Sequence, residues 1–88
     1  MANTLGLLEE AMQLARDLGY RVREEALGDL PGGMCVVAGV RQILLNADLS
    51  AADRLAALVE VLAADPAVAQ EPVSRPLETR LRNARGGG

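Results

Sequence analysis

The apolar residues of this chain change their spacing twice, and this constrains the fold more than any other feature of the sequence. Leu8, Ala11, Met12, Ala15 and Leu18 recur on one face of a 3.6-residue helix, with Glu9, Gln13 and Arg16 opposite. From Tyr20 the period falls to two: Tyr20 and Val22 alternate with Arg21, Arg23 and Glu25, Met34–Ala38 is a short apolar run, and Arg41–Asn46 sets Ile43 and Leu45 against Leu44. After Ser50 the helical period returns with Leu55, Leu58, Val59 and Leu62. Local punctuation agrees. Asn3 or Thr4 caps the first helix and Gly19 stops it, while Ser50 with Asp53 three residues on resembles a capping box, and Asp65-Pro66 ends the second helix. Ser74 opens a short last helix carrying Leu77, Leu81 and Ala84 at i, i+4 and i+7.

The expectation is an α+β fold ordered as helix, three strands, helix, short C-terminal helix. Because the links between strands are short, the sheet is expected to be an antiparallel meander in the order 1-2-3, with the helices mainly on one face. Residues 1–73 are expected to form a single α+β domain, 74–85 a short basic C-terminal helix, and 86–88 a disordered glycine tail. With no Phe or Trp, and Tyr20 the only aromatic residue, the core must be aliphatic. The second helix has little polar face, since Ala56, Ala57, Val61 and Ala63 flank its stripe, so it is expected to be buried on more than one side. Cys35, Val37 and Leu44 are expected on the sheet face away from the helices. That face needs a cover, either the last helix folding back or another chain, which makes these three residues the candidate interface.

Composition excludes several chemistries. There is no His, so the commonest general base and the commonest zinc ligand are both missing, and no Ser or Cys has a His to activate it. Cys35 is the only cysteine, so no internal disulfide is expected, which fits a reducing compartment and a cytoplasmic location. In the expected middle strand it reads as a small buried hydrophobe, with Arg41 expected near it across the hairpin. Gly28–Gly33 lacks the phosphate-loop pattern and precedes a strand rather than a helix, so it reads as a strand connection. No basic segment followed by an apolar run marks a signal peptide, and no apolar stretch approaches the roughly 20 residues that span a bilayer.

Charge is unevenly distributed. Residues 1–74 hold five Arg and eleven acids, a net of −6, whereas residues 75–88 hold Arg75, Arg80, Arg82 and Arg85 with Glu78, a net of +3. The four arginines are candidate contacts for an acidic partner. The acidic body and the lack of interleaved aromatic residues argue against nucleic acid.

One stretch carries a likeness. Gly19-Tyr20-Arg21-Val22-Arg23, a Gly-rich loop, Gln42-Ile43-Leu44-Leu45-Asn46 and Arg54–Ala63 together resemble the minimal core of ImmA/IrrE-type zinc peptidase domains over about half the chain. In that family a strand ending in Ile-x-x-Asn precedes a helix bearing His-Glu-x-x-His. Here the matching positions are Val59, Glu60 and Ala63: the Glu is kept and both His are missing. The resemblance implies a metal-free relative without peptidase activity, because zinc-activated water is lost with the ligands. The expected function is a non-catalytic protein-interaction or structural module with no cofactor and no membrane contact. Its expected partner is another protein or a second copy of itself.

Overall fold

The computed structural model describes residues 3–30 and 32–86. Helix α1 runs Thr4–Asp17, and the Asn3 side chain caps it by accepting from Gly6 N–H at 2.6 Å. Strands β1 (Arg21–Glu25), β2 (Gly33–Val37) and β3 (Val40–Asn46) follow, then α2 (Ala51–Ala63), a 3-10 turn at Pro66–Gln70, and α3 (Arg75–Gly86). Ser50 caps α2 by accepting from Asp53 N–H at 3.1 Å. The fold is α+β, with α1 and α2 packed on one face of the sheet. No helix among the described residues is long and apolar enough to cross a membrane.

The sheet departs from the expected meander. Its order is β1-β3-β2, with β1 parallel to β3 and β2 antiparallel to β3. Consecutive strands do reverse direction, as short links require, but β1 and β2 are not neighbours. The link between β1 and β2 crosses the end of β3, where Leu27, Gly28, Leu30 and Gly32 lie against Leu44 and Asn46, and spans a gap of two strand spacings, roughly 9–10 Å, that β3 fills. The strand with the greatest burial takes the middle: Ile43, Leu45 and Asn46 are all buried, whereas every residue of β2 is exposed.

Asn46, at the end of β3, holds this crossing loop. Its Oδ1 accepts from Leu27 N–H at 3.1 Å and Asp48 N–H at 2.9 Å, and its Nδ2 donates to the carbonyls of Gly28 at 2.9 Å and Leu30 at 3.0 Å. A side chain only 2% exposed thus has its amide satisfied at both ends, as a buried polar group requires.

The β2–β3 hairpin turns on Ala38 and Gly39, both left-handed at φ 52° and 80°. This is the primed two-residue turn that suits strand twist, but alanine is a poor occupant of its first position. Ala38→Asn is expected to stabilise the protein by about 0.5–1 kcal/mol in urea melts. No gain would mean that the turn carries no such strain.

The core is aliphatic, as expected. Leu55, Leu58 and Leu62 of α2 are fully buried among α1, α3 and the sheet, so α2 is covered on several sides. Leu58→Ala is expected to cost about 2–5 kcal/mol in a denaturant melt. Helix α3 belongs to this same core, since Leu77 and Leu81 are buried and Glu10 of α1 accepts from both the N–H (2.8 Å) and the hydroxyl (2.6 Å) of Ser74. It packs on α2 and α1 rather than on the far sheet face, so it does not supply the expected cover. Of the terminal glycines, Gly86 closes α3, and Gly87 and Gly88 lie outside the described residues.

Candidate functional site

Strand register fixes which side chains share a face. Val22, Glu24, Ile43, Leu45, Met34 and Val36 point toward the helices. Cys35, Val37 and Leu44 share the opposite face, which no helix covers. Gln42 and Val40 lie beside them, and Arg21, Arg23 and Glu25 line its β1 side, where Arg23 pairs with Glu25 at 2.6 Å. The face therefore grades from charged on β1 to apolar on β2.

The two sheet edges differ in the same way. An unpaired edge is a template for another strand, and proteins usually block it with charge. Four of the five β1 residues are charged, and Glu24 is held by Arg54 of α2. Strand β2, Gly-Met-Cys-Val-Val, has no charge and is exposed throughout. Leu30, Met34, Val36, Val37 and Val40, five of the large exposed apolar residues, belong to β2 or its flanks. On the helix side the apolar strip continues into a shallow recess where Met34 meets Val61, Ala64 and Pro66.

Hydrogen-bond parity shows which β2 groups are free. A two-residue hairpin closes on a hydrogen-bonded pair, here Val37 with Val40, and such pairs alternate along an antiparallel ladder. Gly33, Cys35 and Val37 therefore spend their backbone groups on β3. The N–H and C=O of Met34 and Val36 point out of the sheet.

Two expectations for Cys35 need correction. It is exposed, not buried, because β2 is an edge strand and the face it occupies is open. Arg41 is not its neighbour: it pairs with Val36 in the ladder and its side chain lies on the helix side. The four candidate arginines of α3 are exposed but do not form one patch. By helical geometry Arg75, Arg82 and Arg85 share a flank with Glu78 among them, and Arg80 sits on the other. Glu78 takes Arg82 as an ion pair, and Arg85 Nε donates to the Ala63 carbonyl at 3.4 Å. On α2, Val59 is buried, Ala63 is half-buried and Glu60 is exposed. Among the described residues no cluster of three or more acidic or cysteine side chains is placed to hold a metal.

A polar cluster that the sequence did not reveal joins the ends of α1, β3 and α2. Tyr20 donates its hydroxyl to Asp65 at 2.8 Å, and Arg41 donates to Asp65 at 3.0 Å and to the Leu18 carbonyl at 2.8 Å. The Arg41 guanidinium lies 4.1 Å from the centre of the Tyr20 ring, a cation–π contact. The Ala67 N–H, then the Tyr20 hydroxyl and Arg41, hold the Asp65 carboxyl below its usual range, and burial with the Asp65 bond raises the Tyr20 phenol. A depressed carboxyl contributes stability that is complete above its unfolded value, near 4, and is lost as pH falls through its folded value. Urea midpoints of the native protein and Asp65→Asn are therefore expected to differ at pH 6, and the difference to shrink as pH falls below the usual carboxyl range toward the lowered folded value of Asp65. A constant gap across that range would remove Asp65 from the acid response. These bonds are satisfied within the protein, so the cluster acts as a clasp.

No family model, curated protein or solved structure matches the chain, so its functional reading rests on its own surface.

Proposed function

We propose that this chain is a non-catalytic protein-interaction module that docks through the free edge of β2 and the adjoining open face of the sheet. The observation that carries the reading is the contrast between the edges: β1 is guarded by charge and β2 is not. Strand addition supplies affinity through backbone hydrogen bonds, and the alternate side chains supply specificity. The free groups of Met34 and Val36 fit that mode, and Cys35, Val37 and Leu44 would form the contact on the open face. The divided arrangement of Arg75, Arg80, Arg82 and Arg85 gives a tail-based contact with an acidic partner less support.

Photo-crosslinking tests the reading. A benzophenone amino acid replacing Val36 is expected to give a discrete protein adduct in cells expressing the chain, and the same group replacing Arg21 on the β1 edge is not. Absence of an adduct at Val36, or equal adducts at both positions, would overturn it.

A further inference from the structure

We infer that the partner strand is β2 of a second copy of this chain, running antiparallel and centred on Cys35, so that two sheets join in the order β1-β3-β2-β2-β3-β1. This rests on the β2-edge part of the docking reading above and names the partner of that edge. Three features favour a second copy over an unrelated strand.

The first is symmetry. The outward-facing residues Met34 and Val36 lie one on each side of Cys35. Pairing about a two-fold axis through Cys35 sets Met34 of each copy against Val36 of the other, and each such pair exchanges two N–H to C=O bonds. All the free backbone groups of Met34 and Val36 are then used. The second is charge. A strand meeting β2 must itself be neutral and apolar on both faces, and β2 meets that requirement while the chain's other edge does not. The third is shape. A two-fold axis perpendicular to the sheet keeps both helix layers on one side, and Met34 and Val36 of the two copies then pack together between them.

Magnitude sets the class of complex. A pair of five-residue strands is well below the roughly 1,200 Å² of a standard interface, so the association is weak, with a dissociation constant of about 0.1–1 mM. Cys35 serves as a reporter. At the two-fold axis it forms a non-hydrogen-bonded pair with its copy, Cα atoms about 4.5 Å apart, within the range a disulfide spans.

The full chain, reduced, is to be studied by sedimentation equilibrium from about 10 μM to about 2 mM, a range that brackets the expected constant. The expected result is a monomer at the low end and a dimer at the high end. Val36→Lys, which places charge on the edge, should raise the dissociation constant at least about tenfold, whereas Arg21→Glu on the β1 edge leaves it unchanged. Circular dichroism melts of both variants confirm that they fold, and Val36→Thr provides a milder edge change of similar shape. At high concentration diamide should convert the protein to a disulfide-linked dimer, taking two electrons and two protons from the two Cys35 thiols, and Cys35→Ser should yield none. A monomer at 2 mM, or a dimer indifferent to Val36→Lys, overturns the inference. If the chain stays monomeric while the Val36 crosslink captures a protein of another mass, only the second copy fails. If there is no adduct either, the docking reading fails with it.

Discussion

Replacing Gly32 with alanine is expected to cost about 3–4 kcal/mol, while the same change one residue later costs less than about 1 kcal/mol. A Cβ on Gly32 would lie 2.1 Å from the carbonyl oxygen of Leu44, and on Gly33 it would meet nothing within 4 Å. The obstacle at Gly32 is backbone of the central strand, which cannot rotate away. Relief requires the crossing loop or the end of β3 to move, and β3 is held on both sides by ladders. For a domain of this size each kcal/mol corresponds to a fall of about 4–8 °C in Tm, so Gly32→Ala should melt well below Gly33→Ala. Equal melting of the two variants would contradict the close passage of the loop over β3.

The second large effect is expected at Asn46. Asn46→Ala removes one side chain and leaves two N–H groups and two carbonyls without their partner. Each stranded buried group costs about 1–3 kcal/mol, and partial access of water to the loop reduces the sum to about 3–5 kcal/mol. Asn46→Asp should be no milder despite its matching shape. The carboxylate still accepts from Leu27 and Asp48, but it turns an acceptor toward the Gly28 and Leu30 carbonyls and buries a charge. Urea melts of both variants give these values, and an Asn46→Asp protein as stable as the native one at neutral pH would refute the assigned bonding. Together, Gly32 and Asn46 account for the unusual strand order, since one lets the loop approach β3 and the other fastens it there.

This explains which parts of the fold were legible in the sequence. Helices α1 and α2 announce themselves because each presents one apolar stripe, and Asn3 and Ser50 mark their starts with local hydrogen bonds. Face parity was legible too: Cys35, Val37 and Leu44 do share the open face, because period two is a property of the backbone. The strand order was not, because it depends on where a seven-residue loop lands and on an Asn and a Gly whose partners lie elsewhere in the chain. The apolar run from Met34 to Ala38 reads as a central strand. An apolar run shows only that a strand is apolar, not that anything covers it, and the helices lie chiefly over the other strands. The Tyr20–Arg41–Asp65 clasp joins residues up to 45 positions apart, and Asp65-Pro66 carried a clearer signal as a helix stop. The last helix was legible from Leu77 and Leu81, but its seat on α2 rather than on the sheet was not.

The exposure of β2 was therefore the feature that sequence reading missed, and it is the feature on which the functional reading depends. Residue-resolved amide hydrogen exchange as a function of protein concentration tests it most directly. Cys35 and Val37, bonded to β3, should be protected at every concentration. Met34 and Val36 should exchange almost freely in dilute protein and gain about three- to sevenfold protection near 2 mM, as their N–H groups find the second copy. Exchange at Met34 and Val36 that does not change with concentration would contradict the account.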